Sequence, residues 1–570
     1  MKFLTDVFVL GAGALLIGAA WAPAASAPRS LTPEALHGRI VGPVPALAPI
    51  EIHVLLPGRN EDELDRLIAL QSTAGSPAYG HYLTPEEFGR YFGADPTDYA
   101  NAIATLRANG FTIADLANNR RDIVAAAPAA AVAAFFHTPL DRHVEGGRSF
   151  YAARYAPLIP AGLHADVVTG LDDYHLLYSH MRVRPRFVSG GYFSWSPADI
   201  AVGYDLGPLY AVGLNGAGIT IANATAGAAS ASDLAHFESD FKLPKAKLVS
   251  TGIDGPLSTG CGSGCDNGES TLDVDWATAT ARGATFHQVV AHTTANNDFD
   301  DVYKYIVDKL GATTHVVTTS WGGCEQDTSH AELVLDNGYF KQAVAEGQWW
   351  FSAAGDNGTD DCEDGSTTAN SVDFPGSSPY VISVGGTNVH ATISASGNVT
   401  KYGSETAWEY GNCSENDGLS SNGAGGGGKS IVYAKPSYQK ALTPKDGRRD
   451  VPDVSLLSDD VNDGLFIYQG GLEGGNGGTS EAAPQWAGLL AIIEQYYGSY
   501  TGVVDPHVRL YALAASAERA SYFHDVSGGN NGVPACAGDI AVFPGYTAAH
   551  GYDLATGLGS YIANPLVGAY

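Results

Sequence analysis

The chain has 570 residues, 45% of them hydrophobic, enough for more than one sizeable core. Its 61 acidic and 31 basic side chains leave a net charge of -30, which argues against nucleic acid and anionic membrane as partners. The same balance suits low pH, where protonation relieves self-repulsion without leaving a large positive charge.

The N-terminus reads as a signal peptide over residues 1–27. Lys2 precedes an apolar run over 7–20 and then small residues from Ala22 to Ala27, with cleavage expected after Ala25 or Ala27. The alternative is an uncleaved anchor. A secreted chain follows, extracellular or periplasmic, with no membrane contact after processing. Residues from about 35 to 180 alternate strand and helix signals in a compact α+β unit without cysteine: strands at 51–56 and 111–114, helices at 61–72 and 98–109. Next comes a basic, proline-containing stretch, Met181-Arg-Val-Arg-Pro-Arg-Phe187, of the kind that proteases cut and that ordinary linkers also contain.

From about Tyr192 onward, short apolar strands (219–224, 315–319, 348–353, 380–384) alternate with helices (270–281, 300–310, 330–346). That alternation predicts an α/β parallel sheet covered on both faces, with its site at the carboxyl ends of the strands. The glycine-rich run 423–428 reads as a tight surface loop, since no strand and helix flank it as a phosphate cradle needs. Six cysteines, at 261, 265, 324, 362, 413 and 536, behind a signal peptide argue for disulfides whose pairing the sequence leaves open.

Three segments can carry chemistry. Gly477-Gly-Thr-Ser480-Glu-Ala-Ala-Pro484 sets a serine at the start of an apolar helix, beside glycines that admit a substrate backbone. Read by itself, Ser480 is an N-cap. A serine nucleophile needs a base, and none of the 17 histidines stands in a subtilisin-like His-Gly-Thr-His segment. Glu269 and Asp273, four apart, share a helix face instead and can share a proton, or they are a solvated acidic face. Asp356, in Gly355-Asp-Asn-Gly358 after an apolar strand, can donate to an oxyanion when protonated, or simply form a turn.

Taken in order, these segments resemble the sedolisin family, the serine-carboxyl peptidases. The likeness extends through Ser320-Trp-Gly322, Phe374-Pro-Gly-Ser-Ser-Pro-Tyr380, Ser383-Val-Gly-Gly-Thr387 and Val451-Pro-Asp-Val454. Ser76-Pro-Ala-Tyr-Gly-His-Tyr-Leu-Thr-Pro-Glu-Glu-Phe88 is similar to the family's prosegment. The resemblance implies a signal peptide (1–27), an inhibitory, chaperone-like prosegment of ferredoxin-like α+β fold (28–185) and a subtilisin-like catalytic domain (186–570).

It further implies an acid-active, self-processing endopeptidase acting on proteins as a monomer. Ser480 would be the nucleophile, Glu269 the base oriented by Asp273, and Asp356 with the Ser480 N–H the oxyanion contact. Ser320, Trp321 and Gly322 would pair with the substrate backbone. A structural Ca2+ is implied at the C-terminal loop, with carboxylates from Asp525 and Asp553 and carbonyls from Val526, Ala549 and Gly551. If the fold holds, Cys324 and Cys362 lie on neighbouring loops and pair.

The strand at 219–227 has no acid to extend the carboxylate network, as some members do. An inert peptide-binding relative is disfavoured because all four catalytic groups survive. A glycosidase leaves the serine unexplained, a subtilisin lacks its histidine, and an aspartic protease lacks paired Asp-Thr-Gly motifs.

Overall fold

The computed structural model describes residues 29–185, 194–257, 267–362, 371–409, 423–460, 464–533 and 544–570. The expected signal peptide lies outside these, as do Cys261, Cys265, Cys413 and Cys536.

In the N-terminal unit, β1 (Pro49–Leu55) and β3 (Asp122–Pro128) form the centre of an antiparallel sheet, with β2 (Thr112–Leu116) and β4 (Val167–Thr169) at its edges. Helix α1 (Pro96–Ala108) precedes β2 and α2 (Ala129–Phe135) follows β3. The sheet order β2-β3-β1-β4, with helices between its first and second and its third and fourth strands, is the ferredoxin-like topology. Helix α1 starts two residues before the expected 98 because Asp95 caps it, accepting from the Thr97 and Asp98 amides, and Pro96 follows at the position where a missing N–H does no harm. Ile52, Val54, Leu106, Ile123 and Val132 close the core.

After β5 (Tyr178–Ser179) and β6 (Arg182–Pro185), the second unit is built on eight strands. These include β7 (Thr220–Ala226), β8 (Lys247–Gly252), β9 (Thr285–Ala291) and β10 (Val316–Thr319). A short strand, β11 (Trp321–Cys324), leaves the sheet after β10. The sheet continues with β12 (Trp349–Ala353), and the separate β13 (Asp373–Phe374) pairs with β11. Strands β14 (Val381–Ile393) and β15 (Val399–Ala407) end the main order, β8-β9-β7-β10-β12-β14-β15, and β16 (Val454–Leu457) also pairs with β14.

Pairing is parallel except between β14 and β15. β14 outruns its expected end at 384 because its far half forms that antiparallel hairpin, where burial fades toward solvent. Two helices meet on one face: α3 (Asn267–Thr280) and α4 (Thr479–Tyr497). Gly488 permits the approach, since a Cβ there would lie 2.8 Å from the Thr280 side chain. Helix α3 is buried from Gly268 to Thr280, so its carboxylates are interior groups and not a solvated face.

The glycine-rich run 423–428 corrects the expectation of a surface loop: every residue in it is buried. The Ala424 N–H donates to the Asp356 carbonyl (2.9 Å) and the Gly426 N–H to the Gly355 carbonyl (2.8 Å). A Cβ on Gly426 would lie 1.8 Å from the Ala354 carbonyl oxygen, so absent side chains are what let this backbone brace the Asp356 turn.

The N-terminal unit docks on the second through buried polar contacts. His53 of β1 lies 2.8 Å from Asp122 and 3.4 Å from Asp301, and Tyr339 donates to Asp122 at 2.7 Å. A disulfide joins Cys324 to Cys362, as the resemblance implied.

Candidate active site

The sheet positions its groups at strand and helix ends. Asp356 follows β12, Ser320 follows β10, Glu269 and Asp273 sit in the first turns of α3, and Ser480 opens α4. All five side chains are buried, Glu269, Asp273, Ser320 and Ser480 completely.

Asp273 accepts from Ser320 Oγ (2.7 Å) and from Asn223 Nδ2 (2.9 Å). Burial pushes its carboxyl up to about 7, against the pull of those two donors. Glu269 is held well above the carboxylate range by burial and by Asp273, while the hydroxyls of Ser179 and Ser480 pull the other way. Glu269 Oε2 accepts a hydrogen bond from Ser179 Oγ. Glu269 Oε1 and Ser480 Oγ have no formed hydrogen bond among the described residues, although Ser480 lies near enough to lower the Glu269 pKa.

Asp356 Oδ1 accepts from both the N–H (2.8 Å) and the hydroxyl (2.9 Å) of Thr479. With Oδ1 committed to two donors, a proton on this carboxyl belongs on Oδ2. Gly478, at φ 103°, stands two residues before Ser480, and a Cβ there would lie 2.5 Å from Asp356 Oδ2.

The segment expected to pair with substrate is covered by the chain's own β5, with Trp321 opposite Ser179 and Gly322 opposite Tyr178 in antiparallel register. The Ser320 carbonyl accepts from the His180 N–H at 3.2 Å. Beyond Ser480, β6 pairs with the strand that leads into α4, Arg182 opposite Gly477 and Pro185 opposite Gly474. A cavity of about 1000 Å3 lies along this segment.

Three participants escaped the sequence reading. Asn223 stands on β7, where the missing acid was noted, and gave no signal as an amide in an apolar strand. Thr225 accepts from Trp321 Nε1 at 3.0 Å and meets Ser270 Oγ at 2.6 Å, a pair of hydroxyls beside the carboxylates. His180 forms a 3.0 Å ion pair with Asp373, both buried; only its place in a linker near the expected cleavage hinted at a role.

The expected calcium ligands are arranged differently. Asp525 Oδ1 accepts from Arg519 Nη2 (2.7 Å) and the Gly551 N–H (3.0 Å), and Oδ2 contacts His550 Nδ1 (2.8 Å). Arg519 Nη2 also donates to the carbonyls of Gly551 (3.0 Å) and Leu558 (3.1 Å). Asp553 is spent on its own turn, accepting from the N–H groups of Ala549, Ala555 and Thr556 and from the Thr556 hydroxyl. Val526 is buried in a small apolar cluster with Ala407, Ala548 and Ala555. This set does not fit Ca2+ as it stands: the point where Asp525 and the Gly551 carbonyl converge is taken by a guanidinium.

Comparison with known proteins agrees with this geometry. The activation domain of pro-kumamolisin matches residues 37–174, and the subtilase family matches residues 262–519. Sedolisin of Pseudomonas sp. (strain 101) is 30% identical over 95% of this chain and 90% of its own length. Kumamolisin of Bacillus sp. (strain MN-32) is 31% identical over 93% of each chain. Tripeptidyl-peptidase 1 of Canis lupus familiaris is 25% identical over 88% of each. The structure of Pseudomonas sedolisin, a serine-carboxyl proteinase complexed with pseudo-iodotyrostatin, superposes with a TM-score of 0.56 at 29% identity, covering 66% of this chain and 98% of that one. At 30% identity over nearly the whole length of sedolisin, and with an activation domain ahead of a subtilase-type domain, the chain belongs to the sedolisin family of serine-carboxyl peptidases.

Proposed function

We propose that the protein is a secreted, acid-active endopeptidase made as a precursor that its own prosegment inhibits. One observation carries this reading: Ser480, Glu269, Asp273 and Asp356 converge under a strand of the prosegment that pairs with Ser320–Gly322 as a substrate would.

Ser480 attacks the scissile carbonyl as Glu269 takes its proton, and Asp273 shares that proton with Glu269. Asp356, protonated on Oδ2, donates to the developing oxyanion. Activity then requires an ionised Glu269 and a neutral Asp356, a combination confined to acid. Under the prosegment, burial keeps Glu269 and Asp273 protonated. Clearing the strand admits water, lowers both pKa values and frees the base. Inhibition therefore works both by filling the cleft and by desolvating the base.

A cut inside chains, as opposed to removal of tripeptides from an end, is supported by the continuous backbone seated on both sides of the nucleophile, β5 before it and β6 after it. Casein digestion from acid to neutral pH tests the proposal. Activity confined to acid and lost in both Ser480→Ala and Glu269→Ala is the expected result; activity near neutrality, or surviving either change, refutes it.

A further inference from the structure

We infer that Glu481, the residue after Ser480, is a positioning residue for the leaving-group side of the substrate, a role that rests on the peptidase reading above. From the first turn of α4 it fixes the hairpin whose outer strand receives that side.

The hairpin is β17 (Leu465–Gln469) and β18 (Leu472–Gly477), paired from Leu465 opposite Asn476 to Gln469 opposite Leu472. β18 runs directly into α4, and its outer edge is the one that β6 occupies. The precursor's own chain meets Trp321 and Gly322 before it passes Ser480 and meets β18 after it. The residues beyond a bond attacked by Ser480 therefore lie along β18. A substrate that takes the place of the prosegment finds the same backbone groups there.

β18 has little of its own to hold it in position. Gly474, Gly475 and Gly477 offer no side chain to pack, and glycine weakens a strand. The bare positions are needed: a Cβ on Gly477 would lie 2.4 Å from the Asp460 Cβ, and one on Gly475 3.1 Å from Ser194 Oγ. The place of β18 is set instead by β17. Leu465, Phe466 and Ile467 are buried in the core, and the Phe466 carbonyl accepts from Trp276 Nε1 at 3.0 Å. Where β17 begins, the Gly464 carbonyl accepts from the Trp195 N–H (3.0 Å), and the Leu465 N–H donates to Glu481 Oε1 (3.0 Å). That last bond is made opposite Asn476, at the end of β18 nearest Ser480, where the first residues past the scissile bond would pair.

The Glu481 side chain is fully buried, and its Oε2 makes no hydrogen bond among the described residues. Burial, with Asp460, Asp356 and Asp459 adding to it, holds the carboxyl well above the usual range, against the pull of the Leu465 N–H. In acid it is a neutral group whose carbonyl oxygen accepts one hydrogen bond, a task that an amide performs equally well. The bond goes to the hairpin and not to Ser480, which makes Glu481 a brace outside the proton path.

The test compares two substrates with the same acyl half. A peptide that the acid-activated parent cleaves once is chosen from a casein digest by mass spectrometry. Its acyl half is also made as the p-nitroanilide, which has no chain to lay along β18. Glu481→Ala is expected to lower kcat/KM on the peptide about tenfold, the effect of one lost hydrogen bond, and to change it less than about twofold on the anilide. Glu481→Gln is expected to stay within about twofold of the parent on both, because its amide oxygen accepts from Leu465.

An equal loss on the two substrates in Glu481→Ala, or no loss on either, overturns the role. So does Glu481→Gln falling as far as Glu481→Ala. If the Glu481→Ala precursor does not fold, Glu481→Met, which fills the space without a strong acceptor, takes its place with the same expectations. A parent that cleaves no casein in acid marks failure of the peptidase reading instead.

Discussion

In the cleft, Glu269, Asp273 and Asp356 accept hydrogen bonds from hydroxyls, an amide and a backbone N–H in a dry interior, with the His180 imidazole acting on Glu269 from a distance. In the C-terminal loop, Asp525 is met by the guanidinium of Arg519. A carboxylate paired with a fixed cation serves architecture, whereas Glu269 and Asp273, raised by burial, lie close to protonation and can share a proton. Asp453 extends the contrast: the buried guanidinium of Arg449 and His507 hold it below the usual range although it is as buried as the catalytic pair. Burial alone therefore does not set the charge of a carboxyl in this protein; the charge of its partner decides as well.

The largest expected effects come from removing the groups that handle the proton. Ser480→Ala or Glu269→Gln should lower kcat by about 10^4-fold or more on a peptide substrate. Asp356→Asn, which keeps the shape of the Thr479 contacts but not the acid, should cost about 10^2–10^3-fold. Near-normal turnover in Asp356→Asn would place the oxyanion contact elsewhere.

A subtler break is Asn223→Ala. It removes one of the two donors that favour ionised Asp273, so the pKa of the carboxylate pair rises and the acid limb of the rate profile moves to higher pH by about one unit. The rate below the optimum should fall about tenfold. Asn223→Asp should move the limb further by adding a like charge. A uniform fall in kcat with an unmoved profile would reduce Asn223 to packing.

Asn223 also illustrates what was readable in the sequence. The motifs around Glu269, Asp356 and Ser480 were legible because glycines and paired acids at fixed spacing are rare and each has a local reason to exist. Asn223, Thr225 and His180 act through contacts with residues about 45 to 190 positions away, and nothing in their neighbours announces this. The parallel sheet was legible from its apolar strands, but β8 and β9 were missed because polar side chains such as Lys247, Ser250, His287 and Gln288 interrupt them. The run 423–428 misled for a related reason. Glycines signal turns locally, while here they permit a close approach to a segment nearly seventy residues earlier, which only the fold reveals.

Next in size is stability against pH. Burial raises Asp172 to about 8, with Glu332 adding to it, and raises Asp273 and Glu494 to about 7. A carboxyl with a raised folded-state pKa contributes its full stability below the unfolded value near 4 and loses it as pH rises through the folded value. Asp453, shifted the other way, contributes above about pH 4 and loses its contribution only in stronger acid. The inactive Ser480→Ala precursor should therefore be most stable near pH 4–5, with Tm falling by roughly 5 °C or more toward pH 7–8. A Tm that rises toward neutrality would mean that charged pairs such as Arg449–Asp453 outweigh the buried acids.

The smallest effect belongs to the loop. If Arg519 supplies the positive charge that the resemblance assigned to Ca2+, a chelator should leave the Tm of the precursor unchanged, and added Ca2+ should not raise it. Arg519→Ala would leave Asp525 and the carbonyls of Gly551 and Leu558 facing one another without the guanidinium between them, and should lower Tm by a few degrees. That variant is the informative one, because it reopens a point where a carboxylate and two carbonyl oxygens converge, a hard-oxygen set that suits Ca2+. A Tm that Ca2+ restores in Arg519→Ala but does not change in the parent would identify the guanidinium as an internal substitute for the ion. A parent that loses stability with chelator would show instead that Arg519 withdraws when the ion is bound, and that this half of the contrast depends on metal.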